Sequence, residues 1–390
     1  MQFQLTDEQR ALRDTVRSYL RDRFGPKQVR ELYDDDRSDG IPAALWQALG
    51  EQGWLAVLVP EQYDGLGLGL LDAAVLAREM GAGTVPGPWL GTVLVGEALR
   101  LAGSADQQAA HLPQLAAGQV KGAVALLKPG SSPTPAGAPA TARDGRLSGR
   151  LEFVEYVCAA DFLVVAADDG LYLVDPRGAG VTRTGQEALD RTTRLGSVTL
   201  DGASGEKLAG STPELVQDLL DRAAVLVAND LVGIARRALT DTVDYDKTRV
   251  QFGRPVGSFQ AVKHALADLH IGVTFAEHAA TYAAHAADVD AADRQLAASV
   301  AKSKAADVCR DATSAMIQYH GGIGYTWEHD AHFCFKRSKR LEPAYGDAAQ
   351  HRERIARLVI DALPGADLAH PGAGSGQGMQ ASGVPAAAAG

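Results

Sequence analysis

The chain has 390 residues, 46% of them apolar, and a formal net charge of -10. That length supports a large core divided over two or three domains or subdomains, and an acidic balance excludes bulk binding to phosphate backbones while leaving room for a local basic pocket. Cys158, Cys309 and Cys334 have no CxxC spacing, which argues against a disulfide framework or a zinc site and fits a reduced, cytoplasmic setting. The opening MQFQLTDEQR has no apolar h-region, so no signal peptide is expected. No apolar run approaches the ~20 residues that span a bilayer.

Residues 1–120 read as a helical N-terminal domain. Thr6 and Gln9 are spaced as a capping box. Leu12, Val16, Leu20 and Phe24 then recur at every fourth position and form one apolar face. A helix follows Ile41-Pro42, and DGLGLG over 64–69 is a turn before a helix over 70–80. The pattern changes near Lys121. The stretches 121–127, 151–154, 162–167, 171–174 and 194–200 are short and apolar and are bounded by Gly, Pro or Asp, which predicts a small β-domain over 121–212. Residues 129–140 are a Pro/Gly/Ser loop. Long alanine-rich helices are expected over about 213–248, 257–288, 291–320 and 347–363, with buried stripes at Leu266, Leu269, Val273 and at Val308, Ala312, Ala315, Met316. Helices of this length pack as a bundle. The composition of 364–390 predicts a disordered tail. The fold class is therefore α+β, mainly α.

Two segments carry chemistry. Tyr245–Gln260, YDKTRVQFGRPVGSFQ, joins two helices through Gly253, Pro255 and Gly257 and presents Arg249 and Arg254 around Phe252. A guanidinium fork suits phosphate, and an aromatic beside it suits an adenine ring; the alternative is a helical corner with solvated arginines. Gln318–Asp330, QYHGGIGYTWEHD, places three glycines where backbone N–H groups can approach a phosphate, or where a helix simply ends. His329, His332 and Cys334 lack a further ligand at metal-binding spacing, so no metal is expected. KRSKR over 336–340 reads as a solvated or interface helix end.

The pattern YxxxRxQFGxPxxxFQ followed by QxHGGxGYT, in this order of elements, resembles the acyl-CoA dehydrogenase family over about residues 1–363. The resemblance implies an N-terminal helical domain, a small central β-domain and a C-terminal four-helix bundle over 213–363 that together hold FAD. It implies removal of an α-proton from an acyl-CoA thioester by a carboxylate, with hydride transfer from the β-carbon to the flavin, giving a 2,3-enoyl-CoA. An electron-transferring flavoprotein reoxidises such flavins. The family's pyrophosphate- and adenine-contacting residues fall on Arg249, Gln251, Phe252 and Gln260, and on Gln318, Gly321 and Gly322. In the family both sets reach a neighbour's FAD, so an oligomer is implied, either a homo-oligomer or one with a homologous partner subunit.

The match fails where the family does its own chemistry. The Y-E-G triplet that carries the base aligns with Tyr345-Gly346-Asp347, which leaves Gly346 without a carboxylate and Asp347 as the nearest displaced base, ahead of Glu342. The other family position for the base falls on Ala223 and Ala224. The flavin-contacting T-E-P-x-A-G-S-D loop is LLKPGSSPTP over 126–135, and the W-I-T strand is Leu151-Glu152-Phe153-Val154. Retained contacts to a neighbour beside lost contacts to its own flavin resemble the bacterial heterotetrameric members, in which one subunit type is active and the other completes the FAD site. The competing expectations are a homo-oligomeric dehydrogenase using Asp347 and a flavin-dependent oxidase relative.

Overall fold

The computed structural model describes residues 4–35, 39–127 and 140–361. The expected tail and nearly all of the 129–140 loop lie outside them. Helices α1 (Asp7–Arg23), α2 (Pro26–Asp34), α3 (Ala43–Glu51), α4 (Leu70–Ala82), α5 (Trp89–Ala102) and α6 (Ala105–Ala116) come first. Thr6 and Gln9 form the expected capping box on α1, and Val16, Leu20 and Phe24 are buried.

Among the described residues eight strands follow: β1 (Gly122–Ala125), β2 (Ala140–Arg143), β3 (Arg146–Glu155), β4 (Phe162–Ala167), β5 (Gly170–Val174), β6 (Val181–Gln186), β7 (Leu195–Ser204) and β8 (Glu206–Lys207). They form one sheet in the order β6-β7-β3-β2-β4-β5-β8, with β1 parallel to β4. The strands β2, β6 and β8 were not expected. β6 alternates Val, Thr, Arg, Thr with little burial, so it has no apolar run to reveal it. Successive side chains of a strand point to opposite faces. On β4, Val164 and Ala166 join the helical core while Leu163, Val165 and Ala167 join a second core inside the β-domain. Leu171 and Leu173 of β5 divide from Tyr172 and Val174 in the same way. Burial on both faces is why these strands read as unbroken apolar runs.

The C-terminal part contains α7 (Pro213–Thr248), α8 (Gln260–Asp288), α9 (Arg294–Tyr319), α10 (Ala331–Leu341) and α11 (Ala348–Val359), with the short hairpin β9 (Val250–Gln251) and β10 (Arg254–Pro255) between α7 and α8. The basic run 336–340 corrects its expectation. Arg337 is 6% exposed and pairs with Asp230 at 2.6 Å, and the half-buried Arg340 pairs with Asp190 at 3.0 Å and Glu155 at 2.5 Å. Charge count alone reads a basic run as solvated; carboxylates far away in sequence draw this one inside.

Helix α4 joins the N-terminal part to the bundle. Arg78 bridges to Glu277 (2.7 Å), Asn229 (2.6 Å) and Thr281 (2.8 Å), and buried Glu79 takes Arg17 and Arg236. The α4–α7 backbones touch at two glycines. A Cβ on Gly233 would lie 1.9 Å from the Arg78 carbonyl oxygen, and one on Gly81 would lie 2.2 Å from that of Asp230. Gly233→Ala is therefore expected to force the helices apart and cost about 1–3 kcal/mol, read as a lower denaturation midpoint. Gly185→Ala, with no atom within 4 Å of the added methyl, should leave the midpoint in place. Equal midpoints for the two variants would contradict the close approach.

Candidate functional site

The first constellation sits where α7 ends. Arg249 is the residue after α7, and its backbone N–H donates to the Tyr245 carbonyl. The chain then turns through a two-residue hairpin with Phe252 at φ 52° and Gly253 at φ 76°, the positive-φ pair that tight hairpins require. This geometry pushes the Phe252 ring out to 93% exposure. Among the described residues the exposed Arg249 guanidinium has no ion-pair or hydrogen-bond partner, while Arg254 stacks on Phe259 at 3.9 Å. Gln251 and Gln260 are exposed, and Gln260 is the first residue of α8. The positive end of that helix favours a negative ligand.

The second segment lies beside the first. Tyr245 stacks on His320 at 4.4 Å, and His320 meets His329 at 4.3 Å. Gln318, Gly321 and Gly322 are exposed; Gly321 has φ 65°, and neither glycine has an atom within 4 Å of where a Cβ would sit. Asp246 lies beneath, 1% exposed, with both carboxylate oxygens unpartnered, and burial pushes its carboxyl above the usual range despite the nearby His320. The fold thus gathers a free guanidinium, an exposed aromatic ring, three amide side chains, open backbone and a helix N-terminus onto one outer face. Such a set fits an extended, phosphate-bearing cofactor approached from outside the chain.

Gly346 and Asp347 lie elsewhere, at a cavity of about 550 Å³ between the sheet and the turn joining α10 to α11. Its lining includes Leu126, Leu127, Phe153, Leu189, Tyr345, Gly346 and Asp347. Asp347 is the N-cap of α11: its Oδ1 accepts the Gln350 N–H at 2.8 Å, and Gln350 Oε1 accepts the Asp347 N–H at 3.0 Å. Glu342 is held by Lys339 at 3.3 Å and Arg310 at 3.4 Å. Ala223 and Ala224 are fully packed in the helical core. Gly346 has φ 101° and Tyr345 φ 55°. A glutamate at 346 would have to adopt a backbone conformation that glycine alone enters freely.

Pattern reading missed what holds this turn. Lys302, 0% exposed on α9, donates its Nζ to the carbonyls of Glu342 and Gly346, both at 2.8 Å. Burial pushes its pKa down to about 7, against the opposing pull of Asp347 and Glu342. His351 donates Nε2–H to the Tyr345 carbonyl at 3.0 Å, and burial, with Lys302 nearby, pushes its pKa down to about 3. A signal for Lys302 existed: it stands four residues after Ala298 on the apolar stripe of α9. Burial likewise raises the Tyr345 phenol well above its ordinary range. Among the described residues no group of three or more His, Cys, Asp or Glu gathers to hold a metal ion, and no helix is long and apolar enough to cross a membrane.

Residues 6–119 match the model of the acyl-CoA dehydrogenase N-terminal domain, and residues 214–360 match that of the C-terminal domain. Acyl-CoA dehydrogenase IpdE2 of Mycobacterium tuberculosis is 37% identical over 336 residues, 85% of this chain and 91% of that protein. A solved structure described as the Tcur3481-Tcur3483 steroid ACAD superposes with a TM-score of 0.84 at 31% identity, covering 91% of this chain and 98% of the other. The ChsE4-ChsE5 complex from Mycobacterium tuberculosis gives 0.84 at 27% identity, covering 93% and 100%. With both terminal domains matched and these relatives aligned over most of its length, the chain belongs to the acyl-CoA dehydrogenase family.

Proposed function

We propose that this chain is the cofactor-completing subunit of a two-chain acyl-CoA dehydrogenase. Its partner would be a homologous subunit that carries the glutamate base. Arg249, Gln251, Phe252 and Gln260, with Gln318, Gly321 and Gly322, are the residues that would hold the pyrophosphate and adenine of the FAD bound in that partner. The complex would oxidise an acyl-CoA to the 2,3-enoyl-CoA, with the flavin as hydride acceptor and an electron-transferring flavoprotein as the next acceptor. The observation that carries the reading is an asymmetry: the outward-facing set is exposed and its Arg249 guanidinium has no partner among the described residues, while at the inner cavity Asp347 is committed to the α11 cap and Glu152, Glu155 and Asp190 to ion pairs, leaving the exposed Glu187 as the one unpaired carboxylate of the described lining. Two relatives named above as pairs of chains support a paired assembly for this one.

The inner cavity supports the same reading. Laying the family's Y-E-G triplet glycine on glycine, as the φ of Gly346 favours, puts Tyr345 where the glutamate would stand; laying it tyrosine on tyrosine puts Gly346 there. Neither supplies a base, since a phenol held above its ordinary range stays protonated at neutral pH. No hydroxyl of Ser or Thr lines the described cavity, whereas Glu152, Glu155, Glu187, Asp190 and Asp347 do, against Lys339 and Arg340. Arg340 is shared by Glu155 and Asp190, so the balance of the lining stays acidic and disfavours a ring that takes up a hydride's electrons.

Three outcomes follow. The complex should purify with bound FAD, and Arg249→Ala should weaken FAD binding by roughly 1.5–3 kcal/mol while far-UV circular dichroism stays unchanged; undiminished FAD affinity would return Arg249 to a solvated corner. The chain alone should show little or no turnover with an artificial electron acceptor, because a positioned base contributes about 10²–10⁴-fold. Asp347→Asn, which keeps a good N-cap, should leave the turnover of the complex essentially unchanged. Brisk turnover by the lone chain that Asp347→Asn abolishes would establish Asp347 as a displaced base, and oxygen consumption with substrate would favour an oxidase.

A further inference from the structure

The loop that carries Gly321 and Gly322 is held locally by turn bonds, among them the Gly324 N–H to the Gly321 carbonyl at 3.1 Å and the Thr326 N–H to the Ile323 carbonyl at 3.0 Å, and by the His320–His329 ring contact. After α9 it runs through one short 3-10 turn at Ile323–Tyr325, and Ile323, Tyr325 and Trp327 are 48%, 88% and 52% exposed. Its far end, 327–330, is fastened from the other end of the sequence. Arg30 on α2 donates Nη1 to the Trp327 carbonyl at 2.5 Å, and Nη2 to the Glu328 carbonyl at 3.2 Å and to Asp330 Oδ1 at 2.7 Å. The same guanidinium lies 5.0 Å from the centre of the Phe333 ring.

The anchor itself is firm. Val29, Leu32 and Tyr33 bury one face of α2, and Pro26 at its first turn presets the helix. Tyr33 meets the edge of Trp327 at 6.0 Å, while Trp327 stacks on His332 at 4.3 Å. A planar fork with several fixed donors can span two carbonyls and a carboxylate at once; a lysine ammonium offers one point. Arg30 touches no part of the outward-facing set directly.

We propose that Arg30 is a positioning residue for the cofactor: by fastening 327–330 to the N-terminal domain, it fixes the loop from which Gly321 and Gly322 approach FAD. This inference rests on the proposed half-site. It also makes the N-terminal domain a part of that half-site, although all seven residues assigned to it lie beyond residue 248.

The test uses the complex as it purifies and follows FAD affinity together with hydrogen–deuterium exchange. Arg30→Ala should raise the FAD Kd about tenfold, equivalent to ~1.4 kcal/mol, and speed amide exchange over 321–330 while α7 and the sheet exchange at the wild-type rate. A merely structural role would instead speed exchange throughout. Asp330→Ala, which removes one anchor and leaves both carbonyl contacts, should shift both readouts the same way but less, and it carries the test should Arg30→Ala not fold. An FAD Kd within about twofold of wild type, or unchanged exchange over 321–330, overturns the proposal while leaving the half-site intact. A wild-type complex that holds no FAD overturns the half-site and this proposal with it.

Discussion

Two arginines one turn apart on α10 hold the three parts of this molecule together. Arg337 reaches Asp230 on α7, the Val85 carbonyl at 2.8 Å in the N-terminal part, and Thr192 at 3.1 Å in the β6–β7 loop. Arg340 reaches Asp190 in the same loop and Glu155 at the end of β3. Tyr33 of α2 adds a bond to Asp190 at 3.3 Å. Burial alone would raise the Asp190 carboxyl, but Arg340 and Arg337 hold it below the usual carboxylate range. Such a network adds little net stability over apolar packing, yet removing one partner leaves an uncompensated buried charge and costs about 3–5 kcal/mol. The network fixes how the sheet sits on the bundle, and the inner cavity is the seam between them.

Much of this was legible in the sequence, for identifiable reasons. The span 213–248 is α7 to the residue because Thr212 caps it, Pro213 opens it and Arg249 leaves the helix into an extended conformation. The strands buried on both faces, β4 and β5, announced themselves as apolar runs. The strands β2, β6 and β8 did not, because a strand with polar faces or only two residues has no pattern of its own. The basic run on α10 misled because its partners, Asp190, Asp230 and Glu155, lie over a hundred residues away. Arg30 left no trace either, since its acceptors are mostly backbone carbonyls that any sequence would supply.

The two constellations differ in how their residues are used. At the outer face the Arg249 guanidinium has no partner among the described residues and Phe252 meets only the edge of Phe259, at 6.2 Å, so both are open to a ligand or a neighbour. At and beside the inner cavity the carboxylates nearest the turn have structural duties: Asp347 starts α11, Glu342 pairs with Lys339 and Arg310, and Glu155 and Asp190 share Arg340. A group already committed to a cap or an ion pair needs those bonds broken before it can take a proton from a substrate, which raises the barrier it would be meant to lower.

The turn at 345–347 nevertheless keeps a costly support. A fully buried lysine is unfavourable unless its ammonium is well hydrogen-bonded, and Lys302 bonds only to two carbonyls of this turn. Its role is intelligible from what the turn joins. The last carbonyls of α10 have no partner within the helix, and Lys302 meets one of them at Glu342 while fixing the start of α11 through Gly346. Helix α10 in turn carries Phe333, on which Arg30 lies, and the arginines that seat the sheet. Lys302 and Gln318 lie on the same helix, about 24 Å apart at 1.5 Å per residue. The support of the inner site is therefore part of the frame that presents the outer one. A side chain that only points into the cavity can change without disturbing that frame, whereas Lys302 cannot, which is why the scaffold of the inner site stays intact around a position that has no base.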